Sequence, residues 1–273
     1  MKFFITILSL FLFLTCNDVA TDAQQSTVIS KSEVKKTSLH PPSPTAISID
    51  TTITLDFLMG KFKPSTHPDF VVIDKKYASR KGMFLQKKTY EAFKKMHAAA
   101  KKDGINLTIK SATRNFFSQK KIWDSKWLGT KKVTGVKNIK KEFPQPKARA
   151  LKILEFSSMP STSRHHWGTD IDMNNFTNKY FEYGQGKKEY DWLKNNAHLF
   201  GFYQPYTPKG AARKYGYNEE KWHWSFLPLS KKYIDQMKLR MKDENIKGFQ
   251  GAAVAKEIGV VEKYILGINQ ECL

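Results

Sequence analysis

The sequence has 273 residues, of which 40% are hydrophobic and 13% aromatic, so it can bury one large core. This composition excludes a chain that is disordered throughout. Lys and Arg number 46 against 25 Asp and Glu, and the net charge of +21 favours anionic partners such as nucleic acid, acidic lipid or a wall polymer. The basic residues are scattered and form no nucleic-acid-binding motif. We therefore expect no nucleic-acid partner and favour a solvated, lysine-rich surface.

The N-terminus predicts export. A short positive start is followed by an apolar run over 3–14 and then by polar residues, the pattern of a secretory signal. The run is too short for a typical membrane span. Cys16 directly follows it, and this arrangement resembles the lipobox of bacterial lipoproteins, in which that cysteine is lipidated. Ordinary cleavage a few residues later is the alternative. We predict a signal peptide over 1–15 and lipidation of Cys16, with the protein exported to the periplasm or cell envelope.

A flexible tether is predicted over 16–50, which is rich in Ser, Thr, Pro, Asp and Lys and cannot bury a face. The tether would join the lipid anchor, the only membrane attachment that we expect, to a folded domain over 51–273. Cys272 is the one other cysteine, so acylation of Cys16 would leave no intramolecular disulfide. Two cysteines also exclude a zinc site built from cysteines.

Within the folded domain, hydrophobic periodicity and turn residues predict a short series of helices and strands. The predicted helices cover 87–103, 116–127, 147–155 and 190–199, followed by a helix capped by Ser230 and a last helix over 252–266. The predicted strands cover 105–109, continuing to 111–114, then 202–203 and 221–226. An apolar β-branched run lies at 70–73, and a polar loop is predicted over 128–146. Because helices and strands do not alternate regularly, the pattern favours an α+β fold with a small antiparallel sheet flanked by helices.

Imidazoles and carboxylates are concentrated in residues 161–176, namely His165, His166, Asp170 and Asp172. Both groups are zinc ligands, and a catalytic zinc needs three protein ligands with one position left open. Gly168 allows the backbone to turn, after which Asp170 and Asp172 face the same side if the chain is extended. Spacing does not choose between the two histidines or between the two aspartates.

A second segment, which contains Glu220 and His223, is predicted to supply the third ligand. Positions three apart in a regular strand face opposite sides. Both side chains therefore reach one metal only if the backbone turns or bulges between them, or if Glu220 lies just outside the strand that His223 begins. An exposed acidic pair, Glu219 and Glu220, is the alternative. We expect Trp222 and Trp224 to lie in the core.

The two segments together resemble a known zinc motif. The pattern Ser163-x-His165-x-x-Gly168-x-x-x-Asp172, followed by Glu220-x-Trp222-His223, is similar to that of the VanY-type D-alanyl-D-alanine carboxypeptidases. This family belongs with the lysostaphin-type peptidases and the hedgehog signalling domain. The resemblance covers about 58–228 and implies a hedgehog/D-Ala-D-Ala-peptidase-like fold. It also implies Zn²⁺ held by His165, Asp172 and His223, with Glu220 as the catalytic base.

The family's Ser-x-x-Arg-x-x-x-x-Gln pattern matches Ser111, Arg114 and Gln119. The resemblance implies that Arg114 and Gln119 contact the substrate, together with Ser163. A guanidinium suits this role because it can bind a carboxylate bidentately. A structural salt bridge is the alternative for Arg114, and a turn cap is the alternative for Ser163. Asp170 departs from the pattern, since many relatives carry Ala there, and its role stays open.

The function that the resemblance implies is that of an exported zinc metallopeptidase, which we expect to be a monomer. It would hydrolyse the terminal D-Ala-D-Ala bond of peptidoglycan stem peptides. An L,D-carboxypeptidase, a D,D-dipeptidase or a peptidoglycan endopeptidase on the same scaffold is the alternative, because the sequence does not show the depth of the cleft beyond Arg114. A non-catalytic wall-binding lipoprotein is a further hypothesis, but a binding-only site has no use for the base Glu220.

Overall fold

A computed structural model of the protein describes residues 47–273, so the predicted signal peptide, Cys16 and most of the predicted tether lie outside the described residues. Contacts with the folded domain begin before Thr51. Gln236 donates a hydrogen bond to the Ser48 carbonyl (2.8 Å), and its side-chain oxygen accepts one from the Asp50 amide (3.0 Å). Over 47–273, none of the helices combines the length and apolar character that crossing a bilayer requires.

Helices and short antiparallel strands make up the described chain. The α-helices are α1 (Leu55–Leu58), α2 (Lys87–Lys102), α3 (Phe116–Trp127), α4 (Ile139–Glu142), α5 (Pro146–Ile153), α6 (Gly184–Asn196), α7 (Leu227–Arg240) and α8 (Ala255–Ile258). The strands are β1 (Phe70–Val72), β2 (Phe84–Gln86), β3 (Ile109–Ser111), β4 (Asp170–Met173), β5 (Phe202–Tyr203) and β6 (His223–Phe226). Strands β1 and β2 pair with each other, and the other four form one antiparallel sheet in the order β3-β4-β6-β5. The predicted α+β class with a small antiparallel sheet is confirmed.

The two helices that precede the site lie close to their predicted positions. In α2 the apolar positions at helical spacing are all buried, namely Tyr90, Phe93, Met96 and Ala100. Gly104 follows the end of α2 with a φ of 73°, the left-handed conformation that commonly ends a helix. Helix α3 begins after Asn115, whose side chain accepts a hydrogen bond from the Ser118 amide (2.9 Å).

Other predicted boundaries were wrong. Helix α7 begins at Leu227, with proline in its first turn, so Ser230 lies inside the helix, where its buried hydroxyl is 2.9 Å from the Ser225 hydroxyl. The last helix, predicted over 252–266, is instead a 3₁₀ turn that runs into α8, followed by a π-helical turn; Gly259, with a φ of 72°, ends α8 before the π-helical turn. Helix α6 begins at Gly184, earlier than expected, and α4 occupies part of the predicted loop.

The two central strands of the larger sheet have one apolar and one polar face. Alternation along β4 and β6 places Ile171, Met173, Trp224 and Phe226 on the face that packs in the hydrophobic core. The opposite face carries the polar side chains of Asp170, Asp172, His223 and Ser225, all of them buried. The pairing of β4 with β6 sets Asp172 directly opposite His223 and Asp170 opposite Ser225. This polar face holds the candidate site.

Gly168 connects the histidine turn to β4 and is fixed by its surroundings. It ends the 3₁₀ turn Arg164–Trp167 with a φ of 69°, and a Cβ atom there would lie 2.3 Å from Phe70 Cε1 and 3.1 Å from the Gln86 amide nitrogen. We expect Gly168→Ala to lower the free energy of unfolding by about 1–3 kcal/mol more than a glycine substitution without a clash, because overpacking costs that much. Urea unfolding of the two variants measures this difference.

Gly82→Ala is the matched control for Gly168→Ala. Gly82 has a similar φ of 76°, but a Cβ atom there would meet nothing within 4 Å, so only the backbone strain remains. An equal decrease in the free energy of unfolding in the two variants would contradict the view that close packing against Phe70 fixes the turn.

Candidate metal centre

Three buried side chains from two distant segments converge at one point. His165, Asp172 and His223 each offer one ligand atom, and these atoms lie within 4.8 Å of one another. His165 Nε2 is 3.3 Å from Asp172 Oδ2, and His223 Nδ1 is 3.1 Å from Asp172 Oδ1. The three residues named as ligands in the sequence therefore form one cluster.

Hydrogen bonds on the far side of each imidazole turn a ring nitrogen towards this cluster. His165 Nδ1 lies 2.9 Å from the Ala112 carbonyl, to which it donates, so the lone pair of Nε2 faces the other donors. His223 Nε2 lies 2.9 Å from Asp170 Oδ2, so Nδ1 faces them instead. Metal-binding histidines commonly hold their second nitrogen in this way, with a carbonyl or a carboxylate.

The geometry also separates the residues that the sequence left as alternatives. His166 Nδ1 lies 2.6 Å from the Arg114 carbonyl, and its Nε2 accepts from the Ser161 amide (3.2 Å), so both ring nitrogens are occupied. Asp170 lies behind His223 and accepts hydrogen bonds from side chains that surround it. These donors are His223, Arg164 (2.9 Å), Thr169 (2.8 Å) and Ser225 (2.8 Å). The arrangement favours His165 over His166 and Asp172 over Asp170 as ligands.

The cluster itself has the properties of a cation site. Within the described part of the chain, His165 Nε2 and Asp172 Oδ1 are buried and make no hydrogen bond. Burial opposes a charge on His223, yet the surrounding carboxylates of Asp170, Asp172 and Glu220 raise its pKa well above the usual value. Burial likewise opposes ionisation of Asp172, but His165 and His223 hold its pKa well below the usual value. Two imidazole nitrogens and a carboxylate oxygen around such a point fit a divalent metal such as zinc.

Glu220 lies beside the cluster because the backbone turns before β6. The His223 amide donates to the Glu220 carbonyl (3.2 Å), and the Glu220 amide donates to the Tyr206 carbonyl (2.9 Å). This turn brings Glu220 Oε2 to 3.4 Å from His223 Nδ1, as the sequence required if both were to reach one metal. Glu220 is 7% exposed and is not a surface acid. Burial raises its pKa, although its hydrogen bond with His223 acts in the opposite direction.

Arg114 is held against the cluster by the residues of its own sequence motif. Its Nε donates to Gln119 (3.0 Å), and its Nη1 donates to Ser111 (2.6 Å) and approaches Asp172 Oδ2 (3.4 Å). Gln119 is almost fully buried and uses its amide group to donate to the Ser158 carbonyl (2.7 Å). The direct contacts of Gln119 are therefore with Arg114 and the chain around it.

A cavity of about 590 Å³ adjoins the candidate metal centre. The predicted site residues that line it are Arg114, Gln119, His165, Asp172, Glu220 and His223. Ser163 is 1% exposed, is not among the lining residues, and its hydroxyl has no hydrogen-bond partner within 47–273. Trp222, expected in the core, also lines the cavity, whereas Trp224 packs in the core as predicted.

The larger antiparallel sheet thus presents a His/Asp/His group that could hold a metal ion and a buried glutamate beside a cavity. The family model of the VanY D-alanyl-D-alanine carboxypeptidases matches residues 82–229, which is more than half of the chain. The chain belongs to this family of carboxypeptidases, as the sequence motifs indicated.

Three individual relatives share between 21% and 27% sequence identity with this chain. YodJ of Bacillus subtilis strain 168, a proposed carboxypeptidase, is 27% identical over 176 residues, which cover 62% of this chain and 56% of that protein. The match thus spans only a little over half the length of this curated relative. One similar solved structure is a mutant of the D,D-pentapeptidase VanY from a VanB-type resistance cassette, in complex with Zn(II). Its sequence is 24% identical, the match covers 57% of this chain and 82% of that chain, and the TM-score is 0.43. The LD-carboxypeptidase LdcB is 21% identical over 74% and 79%, with a TM-score of 0.44.

Proposed function

We propose that this protein is an exported zinc metallopeptidase that removes the terminal residue from peptidoglycan stem peptides ending in D-Ala-D-Ala. The observation that carries the proposal is the convergence of His165, Asp172 and His223 within 4.8 Å, with Glu220 beside them at the edge of a cavity. Membership of the VanY family supports the D-Ala-D-Ala bond as the bond that is cleaved.

The metal would be held by His165 Nε2, His223 Nδ1 and a carboxylate oxygen of Asp172. A set of three protein ligands would suit a catalytic zinc, which keeps a further position for water or substrate. A bound zinc ion supplies Lewis acidity, which polarises a carbonyl group and makes water more acidic. The donor set of two imidazoles and one carboxylate supports zinc over magnesium or calcium, which prefer oxygen ligands throughout.

Glu220 would act as the general base and then as the general acid. Its carboxylate takes a proton from the attacking water while the oxygen of that water bonds to the scissile carbonyl carbon. It then delivers the proton to the leaving amine as the C–N bond breaks. The burial that raises the pKa of Glu220 makes the carboxylate a stronger base, which suits the first step. A site that only binds would gain nothing from this residue.

Arg114 would bind the substrate next to the scissile bond. Gln119 and Ser111 fix its Nε and Nη1 atoms, whereas its Nη2 makes no hydrogen bond with the described residues. The guanidinium can therefore donate to the C-terminal carboxylate or to the scissile carbonyl without losing its present contacts. Gln119 contributes by holding Arg114, and a role for Ser163 in substrate contact remains part of the proposal.

A peptide assay tests the proposed function. A synthetic pentapeptide ending in D-Ala-D-Ala is incubated with the protein, with chelator, and with chelator followed by zinc, and the products are weighed by mass spectrometry. We expect loss of one alanine in the untreated sample, none with chelator, and recovery with zinc.

Other products would change the assignment. Release of a dipeptide would indicate a D,D-dipeptidase, cleavage only after prior loss of one D-Ala would indicate an L,D-carboxypeptidase, and cleavage only of cross-linked material would indicate an endopeptidase. No cleavage with zinc bound would favour a wall-binding protein without activity.

Export and lipid anchoring form a separate part of the proposal, which rests on the apolar run at 3–14 and on Cys16. Expression in a bacterium, followed by intact-mass analysis of the membrane fraction, tests it. We expect a lipid mass on Cys16 that is absent from Cys16→Ser. An unmodified, cleaved protein would instead indicate an ordinary signal peptide.

A further inference from the structure

The cavity beside the metal centre is strongly cationic away from the metal ligands. The basic residues that line it are Arg80, Lys110, Arg114, Lys126, Lys131 and Lys132. The acidic residues that line it are Asp172 and Glu220, and both belong to the metal centre. The remaining wall therefore favours a ligand that carries negative charge along its length.

Lys126 differs from the other cations of this wall because it is half-buried and forms no ion pair with any of the described carboxylates. Its Nζ hydrogen-bonds with the buried hydroxyl of Ser157, which also lines the cavity. Lys120, on the same helix, shows the ordinary arrangement, an ion pair with Asp124 one turn away. Burial and the nearby charges of Lys131 and Arg114 lower the pKa of Lys126 to about 8, and Glu220 opposes them only in part. A ligand carboxylate would supply the missing counter-charge.

The position of Lys126 on α3 indicates where along a bound peptide it would act. Gln119, which holds Arg114 beside Asp172, lies seven residues earlier on the same face of the helix, so the two positions are separated by about 10 Å along the axis. A backbone offset of about 10 Å corresponds to about three residues of extended peptide. On this basis a carboxylate held by Lys126 is separate from the terminal carboxylate, which adjoins the scissile carbonyl. A carboxypeptidase substrate has one residue beyond the scissile bond, so these three residues lie on its amino side.

We propose that Lys126 and Ser157 form a subsite for a second carboxylate of the substrate, carried about three residues to the amino side of the scissile bond. The protein would therefore prefer acidic peptides over neutral peptides with the same D-Ala-D-Ala end. This inference rests on the proposed peptidase function and specifies the class of its substrate.

A set of paired peptides tests the subsite. Each pair ends in D-Ala-D-Ala and differs only by Glu or Gln at the second, third or fourth residue to the amino side of the scissile bond. For wild type we expect kcat/KM to be about tenfold higher with Glu than with Gln at one of these positions, in line with a hydrogen bond between charged groups. In Lys126→Met this ratio is expected to fall close to one, whereas Lys126→Arg should keep most of it. Lys121→Met, an exposed lysine of α3 that does not line the cavity, should leave the ratio unchanged.

The pH profile separates a binding role of Lys126 from a structural one. Lys126 is charged below its pKa of about 8, so in wild type the preference for Glu should disappear as the pH rises through this value. In Lys126→Arg the preference should persist to higher pH, because a guanidinium stays charged. A wild-type ratio near one at every position, or an unchanged ratio in Lys126→Met, would overturn the subsite while leaving the proposed function intact. Failure of wild type to cleave any of the peptides, with zinc bound, would overturn both.

Discussion

Glu220→Gln is expected to retain the metal and to lose at least about 100-fold in kcat for D-Ala-D-Ala cleavage, as is typical when a general base is removed. The amide has the shape of the carboxylate but cannot accept the proton of the attacking water. Glu220 lies beside the ligands, with Oε2 at 3.4 Å from His223 Nδ1, and is not one of the three converging donors. Measuring kcat and the metal content of the same preparation, the latter by elemental analysis, separates the two effects.

Glu219→Gln is the matched control. Glu219 is the preceding residue, is partly exposed, and does not line the cavity, so this variant should keep the wild-type rate. A wild-type rate in Glu220→Gln would remove Glu220 from the mechanism. Loss of the metal together with the rate would instead place Glu220 among the groups that hold the ion, and the base would have to be sought elsewhere.

Local patterns predicted those elements that bury one face along their whole length. Helices α2 and α3 lie where their apolar spacing and flanking residues indicated, because packing and capping favour the same boundaries. The prediction of one C-terminal helix was wrong because apolar spacing and backbone conformation favour different boundaries there. Its apolar residues continue at helical spacing across Gly259, but the glycine takes a left-handed conformation and the chain changes direction there. The sequence shows that a glycine is present but not which conformation it adopts.

The site was predictable in its residue types and partly in its geometry. Alternation along β4 placed Asp170 and Asp172 on one side, and the turn before β6 was required once Glu220 and His223 were to reach the same ion. The choice between His165 and His166 depended on two backbone carbonyls, those of Ala112 and Arg114, which lie about fifty residues earlier in the sequence. Such long-range partners leave no trace in local spacing. Lys126 was missed for a related reason, since one lysine among many has no distinguishing pattern.

The role of Asp170, where the sequence departs from the family pattern, can be inferred from the side chains that contact it. Four donors converge on its carboxylate: His223, Arg164, Thr169 and Ser225. Arg164 is 2% exposed, and Asp170 is its one ion-pair partner among the described residues. The carboxylate therefore neutralises a buried guanidinium and at the same time holds the imidazole of His223, a proposed metal ligand. Asp170 is a positioning residue in this arrangement and is not one of the three converging donors.

Asp170→Asn should for this reason lower both the stability of the fold and the affinity for zinc, and the two effects can be measured separately. An amide cannot accept from all four donors, since its nitrogen must face one of them, and Arg164 is left as a buried charge without a counter-ion. We expect the free energy of unfolding of the metal-free protein to fall by about 3–5 kcal/mol, the cost of breaking a buried ion pair. Asp191→Asn is the control, because Asp191 pairs with Lys187 and Lys194 on the surface of α6, where such pairs contribute at most about 1 kcal/mol.

The second loss concerns the metal. Without a carboxylate behind His223 Nε2, the imidazole is less firmly oriented and less basic, and zinc affinity should fall about 10- to 100-fold. Competition with a chelating dye, at a temperature where the variant is fully folded, measures the affinity apart from the stability. If the variant loses stability but binds zinc as tightly as wild type, Asp170 is only the counter-ion of Arg164. A fall in both, with Asp191→Asn unchanged in both, would establish that one carboxylate supports the fold and the metal centre together.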